Sequence, residues 1–204
     1  MNKILTISAA AIAATIALAG CSAGSTNSSG TSMPGMDMGS AGTSSSYKAA
    51  APTATDHNSA DTMFAQMMIP HHAQAVEMSA LMLNKQGLDP KLTALAARIK
   101  AEQSPEIITM TSWLTAWKEP ATISGDGMAG MMSGDDMTKL DAAQGTDAAR
   151  VFLTQMIAHH QGAVMMAKTE EATGKNTDAV TLGKSIVTSQ EAEIQDMKNL
   201  LAAL

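Results

Sequence analysis

The chain is almost without thiol chemistry: Cys21 is the only cysteine in 204 residues. A single cysteine excludes an intrachain disulfide and any multi-thiolate metal centre, so a soft ligand must be a methionine thioether. Aromatic residues make up only 2% of the chain. Basic residues are outnumbered, 13 Lys and Arg against 19 Asp and Glu, for a net charge of −6. With no basic patch, nucleic acid is not expected as a partner. No apolar run reaches the roughly 20 residues of a membrane-spanning helix. There is no phosphate-binding glycine loop, dinucleotide fingerprint or nucleophile–base–orienter set. A binding protein is therefore expected rather than a hydrolase or nucleotide-dependent enzyme.

What the chain has in quantity is methionine, 18 residues. Residues 1–20 read as an export signal, with Lys3 ahead of an apolar run from Ile4 to Leu18. The boundary Leu18-Ala19-Gly20-Cys21 resembles a bacterial lipobox. That resemblance implies lipid on Cys21 and anchoring outside the cytoplasmic membrane or at the outer membrane. Residues 21–58 are rich in Ser, Gly, Thr and Ala without apolar periodicity, as in a disordered tether. Within it Met33, Met36 and Met38 are either accessory ligands for a soft ion or incidental to a low-complexity segment.

The remainder, 59–204, contains one pattern twice. Phe64 to Met78 reads FAQMMIPHHAQAVEM and Phe152 to Met166 reads FLTQMIAHHQGAVMM. Downstream, Ile99 to Met110 overlays Ile186 to Met197, pairing Gln103 with Gln190, Glu106 with Glu193 and Met110 with Met197. In the first copy the positions of one inward stripe recur at three- and four-residue steps: Phe64, Met68, His71, Ala75, Met78 and Met82, then Leu92, Leu95, Ile99, Gln103, Glu106, Met110, Trp113 and Trp117, and the second copy repeats the pattern. Turns are expected at Gly87–Pro90 and Gly174–Asn176. Each half (60–119 and 147–204) is then a helical hairpin, and the two make an all-α, antiparallel four-helix bundle. A Met- and Gly-rich connector, 120–146, carries Met128, Met131 and Met132 as further accessory ligands and a short helix over 135–144. The order of helices around the bundle stays open.

In an antiparallel hairpin, residues equidistant from the turn share a height. This rule sets His71 level with Glu106, His159 with Glu193, Met68 with Met110 and Met156 with Met197, with Gln103 and Gln190 one step away. Histidine, glutamate and glutamine on a core face cost about 1–3 kcal/mol each if left unpartnered. A self-satisfied polar core accounts for them in one reading, that of a structural envelope lipoprotein. A metal site accounts for them in the other. Cu(I) suits thioether and imidazole, and Cu(II) would lean on the histidines and Glu106 or Glu193. A di-iron or di-manganese oxidase needs Glu-x-x-His motifs that the chain lacks. Pro70 and Pro105, replaced by Ala158 and Ala192 in the second copy, suggest a more open first hairpin beside His71.

The segments MMIPHHAQAVEMS and MIAHHQGAVMMAK, with EQSPEIITMTSWL and SQEAEIQDMKNLL after them, resemble the family known as domain of unknown function 305. The resemblance covers about residues 60–204. It implies a ferritin-like bundle, exported or lipid-anchored, whose relatives include copper-binding proteins active in copper handling. By matching motif positions, it implies Met68, His71, His72 and Met78, then Met156, His159, His160 and Met166, as metal ligands. The second copy departs in carrying Ala158 where the first has Pro70. With Met110 and Met197 added by register, the expected cargo is copper, Cu(I) before Cu(II). The expected partners are the membrane, through Cys21, and an envelope copper-handling protein or a second copy of the chain.

Overall fold

The computed structural model describes residues 56–122 and 128–204. The export signal, Cys21, the body of the tether and its Met33, Met36 and Met38 lie outside the described residues.

Four long helices carry the duplicated pattern: α1 (Ser59–Leu83), α2 (Pro90–Trp117), α4 (Gly145–Thr173) and α5 (Thr177–Ala202), with a short α3 (Gly134–Ala142) in the connector. Their ends follow from local chemistry. Asn58 caps α1 by accepting from the Ala60 and Asp61 amides, while Asp61 accepts in return from the Asn58 amide at 2.6 Å. Asp89 caps α2 with Pro90 in its first turn, Ser133 and Asp136 form a reciprocal cap on α3, and Asn176 caps α5. Both α1 and α2 run on through their internal prolines, Pro70 and Pro105. The connector helix expected over 135–144 ends at Ala142, and Gln144 already stands at the N-cap of α4.

Helices α1 and α2 form one hairpin and α4 and α5 the other, as the repeat predicts. The start of α1 lies beside the end of α4, where Asn58 Nδ2 donates to the Thr173 carbonyl at 2.9 Å. So α1 and α4 are antiparallel inner neighbours, with α2 outside one and α5 outside the other. Arg98 ties the outer helices together, its Nε 3.2 Å from Glu193 Oε1 and its Nη2 2.8 Å from Asp196 Oδ2. This settles the helix order that the sequence left open.

The core is divided in two. One apolar cluster gathers Phe64, Met68, Met110, Leu114, Trp117, Ala167 and Ile186. The other gathers Met78, Met82, Leu92, Leu95, Ile99, Leu140, Phe152, Met156 and Met197. Burying each large side chain stabilises by about 1.5–3 kcal/mol. Between the clusters lie buried His71, His72, Gln103, His159, His160, Gln190 and Glu193. The bundle is thus interrupted by a polar layer near mid-height.

Candidate metal centre

Consecutive residues on a helix point about 100° apart, so the two histidines of each pair cannot face the same neighbour. In both hairpins the second histidine turns to its own partner helix. His72 Nε2 meets Glu106 Oε2 at 2.7 Å, and His160 Nε2 meets Glu193 Oε2 at 2.8 Å. A carboxylate only accepts, so the Nε2 protons sit in these bonds and each Nδ1 is left bare and without a partner. Fixing one ring nitrogen by a carboxylate while the other faces inward is the usual arrangement behind a metal-ligating histidine.

This corrects the expected register by one residue. Glu106 and Glu193 take His72 and His160, not His71 and His159. The first histidines turn instead toward each other across the α1/α4 seam, with ring centroids 3.7 Å apart and planes tilted by 39°. They are 0% and 1% exposed, and none of their four ring nitrogens makes a hydrogen bond of regular geometry, although the Ala129 carbonyl lies near the His71 ring. Burial pushes the His71 imidazole down to about 3, with His72 and His160 adding repulsion that the Ala129 carbonyl only partly offsets. Burial likewise pushes His159 to about 2, with His71, His160 and His72 acting in the same direction. Both rings are therefore neutral at physiological pH, their lone pairs free for a Lewis acid.

The other predicted ligands divide by height. Met68 and Met110 share one apolar cluster and Met156 and Met197 the other, each set about one turn from the histidines and fully buried. Met78 and Met166 lie seven residues beyond His71 and His159, about 10 Å along the helix, and are not brought into the layer. Gln103 and Gln190 border it. Both polar atoms of the Gln103 side chain and the Gln190 Oε1 lack partners. Among the described residues no three His, Cys, Asp or Glu side chains are grouped to hold a metal ion. The potential donors at this level are the histidine nitrogens, with the Met68 and Met156 thioethers in the clusters on either side.

Two features escaped the sequence reading. The connector docks on the histidine layer: Gln74 Nε2 donates to the Met132 carbonyl at 2.9 Å and its Oε1 accepts from the Met132 amide at 2.7 Å. On the opposite wall Gly162 lets the Ala129 carbonyl approach where any Cβ would overlap it. Gly130, at φ +85, lies where a Cβ would sit 2.9 Å from the His159 carbonyl. The strap thereby carries half-buried Met128, Met131 and Met132 over the seam. Gly162 aligns with Gln74 in the repeat, and that mismatch was the available signal. The second feature is a buried carboxyl pair. Asp61 accepts from the amides of Asn58, Lys175 (3.0 Å) and Asn176 (2.8 Å); burial raises its carboxyl, but these bonds together with Glu170 outweigh it and hold the carboxyl below the usual range. Glu170, 1% exposed beside it, is pushed up to about 8 by burial and by Asp61, so it is largely protonated at neutral pH.

The family profile of the domain of unknown function (DUF305) matches residues 61–201. The chain belongs to the DUF305 family. A DUF305 protein from Streptomyces coelicolor, provisionally described as secreted, is 36% identical with a TM-score of 0.67, over 71% of this chain and 93% of that one. A DUF305 fragment from Deinococcus radiodurans is 30% identical with a TM-score of 0.67, over 72% of this chain and 98% of that one. CopM in its Cu(I)-bound form is 37% identical with a TM-score of 0.59, over 68% of this chain and 93% of CopM. CopM has also been solved with Cu(II) and with silver bound. No curated protein matches the chain. A copper-related role thus agrees with the DUF305 relatives, and the bundle agrees with their fold. Among the described residues no helix is long and apolar enough to cross a membrane.

Proposed function

We propose that this DUF305 protein is an exported copper-binding protein that holds Cu(I) in its histidine layer for sequestration or tolerance. The observation that carries this is the His71–His159 pair: in contact with tilted rings, buried, neutral and with no ring nitrogen in a hydrogen bond of regular geometry. Unpartnered polar groups at this depth cost about 1–3 kcal/mol apiece, a cost that a bound Lewis acid offsets. His71 and His159 would supply nitrogen, His72 and His160 their bare Nδ1 atoms, and Met68 and Met156 or the strap methionines sulfur. Glu106 and Glu193 act through the histidines, fixing ring orientation and tautomer. A monovalent soft ion is favoured because thioethers compete poorly for Cu(II), whereas the binding of Cu(I), Cu(II) and silver by CopM supports copper in the wider sense. We read the chain as a binder, not an enzyme, because its buried donors form no acid–base–nucleophile set. Lipid on Cys21 would hold the domain at a membrane surface.

The test is a Cu(I) titration of the soluble chain from Ser22 against a chromophoric chelator, repeated with His71, His72, His159 and His160 all changed to Ala. Tight binding lost in the variant supports the assignment. Tight binding kept in full moves the site to methionines elsewhere, and no competition by the unmodified chain sinks the copper reading.

A further inference from the structure

The seam between α1 and α4 has approximate two-fold symmetry about the His71–His159 pair, yet its two ends are treated differently. At one end the connector fills the groove. Gln155 Nε2 donates to the Asp136 carbonyl at 3.0 Å, and α3 adds Leu140 and Met137 to the apolar cluster beside Val151. At the other end the repeat places Met67 where the filled end has Gln155, Met63 where it has Val151, and Met166 opposite. Nothing covers this end among the described residues. It is an open pocket of about 420 Å³ whose lining includes Met63, Phe64, Met67, Met166 and Glu170.

Three thioethers from two helices thus line one cavity. Met63 and Met166 lie at the same height across the antiparallel seam, judged by the Asn58–Thr173 bond and the His71–His159 contact. Met67 follows Met63 by four residues and precedes His71 by four, so Met63, Met67 and His71 form a file at steps of about 6 Å leading inward. Exposure falls along that file: Met63 is 55% exposed, Met67 half-buried and His71 0% exposed. A packing role alone does not explain an unbranched, polarisable side chain left in water at the mouth of a cavity. Thioethers are neutral, labile ligands that select monovalent soft cations over the hard ions of the envelope.

We propose that the open end of the α1/α4 groove, lined by Met63, Met67 and Met166, is a second binding site for a monovalent soft cation, Cu(I) or Ag(I), and the entrance through which the histidine layer is loaded. The site itself stands on the pocket and its methionines; only the loading role rests on the copper reading of the histidines. It gives Met166, too far from the histidines to share their ion, a role with new partners, Met63 and Met67.

The probe is Ag(I), which needs no reductant, added to the full mature chain carrying ¹³C-methyl-labelled methionine. Stoichiometry is read by calorimetry. Met63→Leu, Met67→Leu and Met166→Leu are combined, since leucine conserves volume and keeps the bundle folded. The expected result is that the Met63, Met67 and Met166 methyl signals shift on silver addition, and that the triple variant binds one equivalent less. Its histidine site still fills, at least tenfold more slowly. The variant with His71, His72, His159 and His160 changed to Ala keeps the pocket equivalent, which separates failure of this site from failure of the histidine site. Unmoved methyl signals with unchanged stoichiometry in the triple variant overturn the pocket site. An unchanged filling rate overturns the entrance.

Discussion

Replacing His71 and His159 together by leucine should stabilise the metal-free protein and remove much of its sensitivity to acid. Each imidazole is buried with no hydrogen bond of regular geometry, so an apolar side chain of similar bulk recovers about 1–3 kcal/mol per site at pH 7. The pH dependence is the sharper test. In the unfolded chain both histidines take up a proton near 6.5, whereas in the fold they resist protonation down to about 3 and about 2. Between those limits the unfolded state binds more protons, so stability falls as pH falls. The slope approaches about 1.4 kcal/mol per pH unit for each histidine, which amounts to about 4 kcal/mol for the pair between pH 7 and pH 5. That is a large share of a domain stability of roughly 5–15 kcal/mol. Urea unfolding of both proteins at pH 7, 6 and 5, without metal, measures it. The double variant should be more stable at pH 7, and its lead should widen by about 4 kcal/mol at pH 5. Stability curves that stay parallel with pH would refute the claim that these rings are held neutral by burial. Saturating Cu(I) should reverse the ranking, since only the unmodified protein gains binding energy in the folded state.

Other predictions follow from the same structure. Glu170 holds a proton up to about 8 that the unfolded chain releases near 4.5, so it erodes stability as pH rises across that window. Glu170→Gln should flatten the loss, by about 3 kcal/mol between pH 5 and pH 8 in urea titrations. Gly162→Ala places a Cβ on the Ala129 carbonyl. It should cost about 1–3 kcal/mol and loosen the strap, seen as faster proteolysis around Met128–Met132. Cys21→Ala should move the protein from the membrane fraction to the soluble fraction while Cu(I) affinity in the bundle stays unchanged.

Much of the fold was legible because the pattern is repeated. Two copies of a three- and four-residue periodicity specify two hairpins, and turn chemistry at Asp89-Pro90 and Asn176 specifies their ends. Each methionine pair falls in one shared cluster, while the register was off by one for the histidines, because equal height does not say which of two adjacent side chains points to the partner. The contact of His71 with His159 was not legible. Periodicity within a helix says nothing about which hairpin faces meet, and only the two-fold relation between the copies hinted that equivalent residues would. Asp61 and Glu170 escaped notice because they break the repeat, standing where the other copy has Ala149 and Met82. Buried charge at non-repeated positions leaves no periodic trace. The docked strap had one visible cue, glycine at 162 opposite glutamine at 74, whose meaning depends on a contact distant in sequence.

The central claim is that Cu(I) is held by the ring nitrogens of the histidine layer, and side-chain ¹⁵N NMR of histidine tests it most directly. Cu(I) is diamagnetic, and each ring nitrogen reports its own state. On adding Cu(I), the unprotonated ring nitrogen of each of His71 and His159 and the Nδ1 atoms of His72 and His160 should shift to metal-bound positions. The Nε2 protons of His72 and His160 should persist in their bonds to Glu106 and Glu193. Histidine nitrogens that stay unchanged while copper binds tightly would contradict the account and leave the layer a polar core without a metal.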